Sequence, residues 1–126
     1  MATILVVDDE EPVVDLLTDM LHEQGHTVIP AYNGRTALQL VNERRPDLVI
    51  SDVMMPFVDG IQLSRTIREE YDAERLPIIL MSAALPPNLE ECGANAFLGK
   101  PFDIDRFDIL IAAYVDNRGS GKDSAT

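Results

Sequence analysis

The chain has 126 residues, 46% of them hydrophobic, which suits one domain built around a single core. Ten basic against 22 acidic residues leave a formal charge of −12, which disfavours non-specific binding to nucleic acid or anionic membrane and favours a cation or a basic partner surface. The lone cysteine, Cys92, excludes an internal disulfide, and no apolar run approaches the ~18 residues of a membrane span or leader, so a cytoplasmic protein is expected.

Thr3 to Val7 is a β-branched run that stops at Asp8, Asp9 and Glu10, a first strand with an acidic carboxyl end. Pro12 suits a helix's first turn, and Val13, Val14, Leu17, Met20 and Leu21 recur at helical spacing until Gly25. His26 to Ala31 reads as a second strand, placed at a sheet edge because Pro30 cannot donate to a ladder. Ala37, Leu38 and Val41 mark a second helix that starts near Asn33 and Gly34 and ends in Glu43, Arg44 and Arg45, the arginines complementing its carboxyl end.

Leu48 to Ile50 runs through Ser51 into Asp52, and Pro56, Asp59 and Gly60 follow as a turn signal. A short apolar run bounded in this way reads as a covered strand of a parallel sheet, where ligands gather beyond the carboxyl ends. Asp52 is then an acid at the end of a buried strand; standing alone it would more readily be read as a capping or turn aspartate. Ile61, Leu63, Ser64 and Ile67 mark a third helix, whose charged tail, Arg68 to Arg75, is expected to be solvated. Ile78 to Met81 is a fourth strand ending in Ser82, and Ala96 to Leu98 a fifth ending in Gly99, Lys100 and Pro101. Between them Pro86 and Pro87 leave only Leu89 to Cys92 for a fourth helix, expected to be short or irregular. Asp103 caps a last helix with the stripe Phe107, Leu110, Ile111 and Tyr114. The domain is expected over 1–116, with 117–126 a flexible tail, linker remnant or added segment.

Five alternations of strand and helix predict an α/β domain with a parallel sheet and right-handed crossovers. Asp8 and Asp9, Asp52, Ser82 and Lys100 then converge on one rim. Neighbouring carboxylates repel unless a cation sits among them, and an all-oxygen set without His or Cys suits magnesium. Singly, each residue has an ordinary reading: Asp8 and Asp9 as helix caps, Ser82 as a strand-end hydroxyl, Lys100 as a surface lysine and Phe97 as core. Their joint occurrence at the strand ends favours a site.

The blocks VVDDEEP, SDVMMPFVDG, MSA and FLGKPF, in this order over roughly Thr3 to Tyr114, resemble the receiver domain of bacterial two-component response regulators. The resemblance implies a flavodoxin-like doubly wound (βα)5 sandwich with strand order 2-1-3-4-5. It implies that Asp52 is the phosphoryl acceptor, that Asp8 and Asp9 with Asp52 and the Met54 main-chain carbonyl hold Mg²⁺ (Mn²⁺ as a substitute), and that Ser82 and Lys100 bind the transferred group. Phe97 falls at the aromatic switch position, and the Lys100–Pro101 bond is expected to be cis. Implied partners are a histidine kinase or phosphotransfer protein and a downstream effector protein, with no direct nucleic-acid or membrane binding and at most a weak homodimer. Phe97 lacks a hydroxyl, which is expected to bias the switch inward. Met54 and Ala84 offer nothing to orient a water, so self-dephosphorylation is expected to be slow. Apart from self-phosphorylation and that loss, no enzyme activity is expected. Two other functions fit the acids: a Mg²⁺-dependent phosphohydrolase with an aspartyl intermediate, for which Met54 stands where a second acid is wanted, and a receiver that binds without phosphate. The chain reads either as a stand-alone regulator or as part of a larger regulator or hybrid kinase.

Overall fold

The structure, a computed structural model, describes residues 1–125 in backbone and 1–115 in side chain. Strands β1 (Thr3–Val7), β2 (Thr27–Ala31), β3 (Leu48–Asp52), β4 (Ile78–Ser82) and β5 (Ala96–Gly99) alternate with helices α1 (Glu11–Glu23), α2 (Gly34–Arg44), α3 (Gly60–Arg68), α4 (Leu89–Cys92) and α5 (Ile104–Ala125). All strand pairs are parallel, in the order β2-β1-β3-β4-β5, a flavodoxin-like doubly wound sheet as expected. β2 is an edge strand with Pro30 exposed, in keeping with its missing N–H.

Side chains alternate across the sheet and separate two cores. Ile4, Val6, Leu48, Ile50, Ile79 and Met81 pack under α1 and α5 with Leu17, Leu21, Phe107 and Ile111. Leu5, Val7, Val49, Ile78 and Leu80 pack under α2, α3 and α4 with Val41, Leu63, Ile67 and Cys92. β3 and β4 are buried along their whole length, which is why they read as unbroken apolar runs.

The starts of α2 to α5 are defined by side chains. The Thr36 N–H donates to Asn33 Oδ1 (2.8 Å), and the Arg106 N–H donates to Asp103 Oδ1 (2.7 Å). Asp59 and Gln62 form a reciprocal capping box at α3. α4 is one turn, capped by Asn88 and ended by Gly93 with φ +78, so the prolines do curtail it. α5 continues in backbone to Ala125; the side chains of the stretch expected as a tail, 117–126, lie outside the described residues.

Arg68 departs from expectation. Rather than opening a solvated tail, it is half-buried and ties four segments together. Its Nε donates to Gly93 O (2.6 Å), Nη1 to Leu76 O (2.8 Å) and Tyr71 O (3.1 Å), and Nη2 to Asn95 Oδ1 (2.7 Å). Asn95 extends the knot: Oδ1 accepts from the Ile78 N–H (2.9 Å), Nδ2 donates to Ala73 O (3.1 Å), and its carbonyl accepts from Tyr114 Oη (3.1 Å). Carbonyls of the segment between α3 and β4 and of Gly93, which ends the one-turn α4, thus find a planar, fork-shaped donor. The positive φ at Gly93 suits the approach, since a Cβ there would sit 2.5 Å from Arg68 Cγ. Arg68→Lys, which keeps the charge but not the fork, is expected to lower unfolding free energy by about 2–4 kcal/mol in urea denaturation, because several carbonyls lose their donor at once.

Candidate functional site

Strand register assembles the site. Val7 pairs with Ser51, so Asp8, the residue that follows β1, lies beside Asp52 at the end of β3. Asp52 pairs with Met81 and Ser82 with Gly99, so Ser82 and Lys100 follow one step further along β4 and β5. Each acid is therefore the residue at which an apolar strand runs out. Asp8 is fully buried and Asp52 is 5% exposed.

Lys100 joins them. Its Nζ donates to Asp8 Oδ2 at 2.9 Å and lies 3.0 Å from Asp52 Oδ1. The lysine backbone is held as well, its N–H donating to Ser82 O (2.8 Å), and the Lys100–Pro101 bond is cis. Asp8 Oδ1 accepts from the Glu10 N–H (3.0 Å), which leaves that acid with partners on both oxygens.

Burial pushes the Asp52 carboxyl above its ordinary value, and the nearby Asp8 and Asp9 charges add to this; Lys100 opposes them without cancelling them. Burial alone would lower the Lys100 ammonium, but its bonds to Asp8 and Asp52 outweigh that and raise it. The site is thus short of positive charge.

Asp8, Asp9 and Glu10 can each bring one carboxylate oxygen within 4.8 Å of the others, with Asp9 and Glu10 exposed. A hard divalent cation fits this donor set, which is all oxygen, negative and open on one side. Glu10 was not among the expected ligands; the signal was its place as the third acid of a run. Asp52 is joined to this cluster through Lys100 and Asp8. The Met54 side chain is 68% exposed, in the loop that follows Asp52.

Ser82 and Phe97 belong to the opposite side-chain parity. Ser82 is 2% exposed and its Oγ accepts from the Ala84 N–H (3.0 Å). Phe97, partly buried, packs in the second core, and Leu80 is its partner in register. Among the described bonds Ser82 is not linked to Asp52, so the hydroxyl and the lysine flank the acid from two sides of the sheet end. Gly60 closes the floor: a Cβ there would collide with the Asp52 carbonyl oxygen and lie 2.9 Å from Val53 Cα, so α3 starts directly on the backbone that ends β3. His22 is exposed on α1, and His26 Nδ1 accepts from the Ala2 N–H (3.2 Å), so neither approaches the site.

Because the folded-state carboxyl of Asp52 titrates above its ordinary 3.8, its charge opposes folding wherever it is ionised. That cost is complete above the raised value and vanishes as pH falls through 3.8, where both states are protonated. In divalent-free buffer Asp52→Asn is therefore expected to raise Tm at pH 7, and the gain should shrink to nothing near pH 3; scanning calorimetry across that range checks the sign.

Residues 4–112 match the response regulator receiver domain family. Among solved structures, the chain is similar to the chemotaxis protein CheY4 of Vibrio cholerae, with 28% identity, a TM-score of 0.83, and coverage of 91% of this chain and 99% of that one. The receiver domain of the Francisella response regulator 1452 gives 28% identity and a TM-score of 0.82 over 94% of this chain and 99% of that one. A structure described as a two-component response regulator/GGDEF domain protein gives 31% identity and a TM-score of 0.84 over 91% of this chain but only 49% of that one. The chain thus spans nearly all of two of these proteins and about half of the third.

Proposed function

As the chain belongs to the response regulator receiver domain family, we propose that it is a phosphoryl-accepting switch in two-component signalling, with Asp52 as the acceptor. The observation that carries this reading is the buried Asp52 carboxylate held 3.0 Å from Lys100 Nζ at the end of β3, beside the open acidic cluster.

An Asp52 Oδ lone pair attacks the phosphorus of a phosphohistidine on a histidine kinase or phosphotransfer protein. The P–N bond breaks, its electron pair returns to the imidazole, which takes a proton from solvent, and Asp52 becomes an acyl phosphate. Lys100, already within contact of Asp52, neutralises charge on the arriving group, and the Ser82 hydroxyl bonds one of its oxygens. Mg²⁺, or Mn²⁺ in its place, would be held by Asp8, Asp9 and Asp52, with the Met54 carbonyl and Glu10 as further oxygens, and supplies charge neutralisation and orientation. Apolar Met54 and small Ala84 leave no acid or amide to position a water, so the acyl phosphate is long-lived. The chain then acts as a cytoplasmic switch rather than an enzyme on an external substrate, reporting through Ser82 and Phe97 to an effector protein.

A phosphohydrolase with an aspartyl intermediate is the reading from a different class. The position two residues after Asp52 carries the largely exposed, apolar Met54, which cannot serve as a general acid. Acetyl phosphate with Mg²⁺ is expected to label wild type and not Asp52→Ala, with the label at one site by mass spectrometry. Absence of label on wild type overturns the acceptor reading, and sustained turnover of a generic phosphate ester would favour the hydrolase. Adding millimolar Mg²⁺ to chelator-treated protein is expected to raise Tm, as a ligand of the folded state does, and Asp9→Asn should remove most of that gain.

A further inference from the structure

Resting on the acceptor reading above, we propose that Phe57 is an anchor for the protein that brings the phosphoryl group, docked over the carboxyl end of the sheet.

Phe57 has φ +70, in the left-handed region that bulky L-residues rarely adopt, and its side chain is 90% exposed. An aromatic residue held in a costly backbone conformation with almost no burial gives the isolated domain nothing in return. Such strain is retained where it serves a contact made outside the fold. The residue stands five positions after Asp52, in the loop between β3 and α3.

It is not an isolated apolar side chain. Tyr32 follows β2, Met54 and Phe57 follow β3, Leu85 follows β4 and Ile104 follows β5, and all five are exposed. Of the large exposed apolar side chains among the described residues, Met1 is the one beyond the opposite end of the sheet; Leu16 and Ile109 lie within helices. Apolar exposure is therefore concentrated around the rim that holds Asp52. A donor whose phosphoryl group sits on a side chain must bring its own surface onto this rim, because Asp52 is only 5% exposed. Apolar contacts around a charged centre would also keep water from the transferring group. Beside Phe57, a cleft of about 230 Å³ bounded by Asn33, Arg35 and Thr36 offers space for a side chain of the visitor.

Charge decides between a second copy of the chain and a different protein. Asp9, Glu10 and Glu11 are exposed at the same end, and two copies meeting there would set acid against acid. The occupant is therefore a protein with a phosphohistidine at the centre of an apolar patch and Lys or Arg around it.

The test compares wild type, Phe57→Gly and Phe57→Tyr as acceptors of radiolabelled phosphoryl groups from a panel of purified, autophosphorylated histidine-kinase cores, keeping the core that labels wild type fastest. Phe57→Gly is expected to raise the receiver concentration for half-maximal transfer at least ~10-fold while changing the saturated rate little, and Phe57→Tyr to restore it. With acetyl phosphate and Mg²⁺ all three should be labelled equally, and Phe57→Gly should show a higher Tm because glycine accepts the left-handed backbone. The inference is overturned if Phe57→Gly takes label from the kinase core as wild type does, if it loses acetyl phosphate labelling to the same degree, if its Tm falls, or if no core labels wild type faster than acetyl phosphate. Failure of wild type to accept from acetyl phosphate would instead sink the acceptor reading, and this one with it.

Discussion

Lys100 is what allows two carboxylates to be buried side by side. Asp8 is fully buried and Asp52 nearly so, and an uncompensated charge in that position would cost several kcal/mol or stay protonated. β5 stands three strands from β1 in the sheet, about 14 Å at the usual spacing, more than a lysine side chain spans. Lys100 reaches Asp8 from just beyond the end of β5, where its N–H donates to Ser82 O and its side chain extends across the ends of β4 and β3. One cation therefore couples the first, third and fifth strands. Asp52 remains raised in spite of it, so the arrangement is balanced for its fold and still underneutralised for its chemistry.

The two faces of the sheet give this rim two kinds of chemistry. Asp8, Asp52 and Lys100 share the parity of the core under α1 and α5, whereas Ser82 and Phe97 share that of the core under α2, α3 and α4. A group attached at Asp52 would meet the ammonium on one side and, on the other, a hydroxyl adjoining the aromatic. Charge changes on the first side are felt locally through Coulomb attraction. Those on the second side are joined to packing, because Phe97 lies in register with the buried Leu80 and against the second core.

Much of this was legible in the residue string, for a physical reason. A parallel sheet covered on both faces demands unbroken apolar strands, so the polar residues that close each run mark the rim, and Asp8, Asp52 (one past Ser51), Ser82 and Lys100 all stand there. Pro30 marked an edge and Pro86 with Pro87 a curtailed helix because proline acts through its own backbone. What stayed hidden depends on contacts distant in sequence or on a single dihedral. Arg68 sits in a charged run that looks solvated, and only the fold brings Gly93 and Asn95 to its guanidinium. The left-handed backbone of Phe57 leaves no trace in composition, since glycine or asparagine would have announced it and phenylalanine does not. Glu10 was visible as one more acid, but its place in a cluster with Asp8 and Asp9 required the turn into α1.

The curtailed α4 is tied to α3 at its carboxyl end, whereas its amino end has the local Asn88 cap. Its carboxyl end is fastened to α3 twice, by Ser64 Oγ donating to Cys92 O (2.7 Å) within the core and by Arg68 at Gly93. Its amino end follows Ala83 to Asn88, where Ala83, Ala84, Leu85 and Pro86 are exposed and two prolines lack an N–H to donate. Beyond the Asn88 side chain, which accepts from the Glu91 N–H (3.1 Å), the bond on that side is the one from the Ala84 N–H to Ser82 Oγ, made by the hydroxyl that flanks Asp52. That hydroxyl keeps its own proton to donate, so a group at Asp52 that engaged it would share an oxygen that already holds the loop into α4, whereas the far end is held independently of the site. The unequal fastening leaves the exposed segment between Ser82 and α4, beside Asp52, with fewer ties to the fold than the carboxyl end of α4.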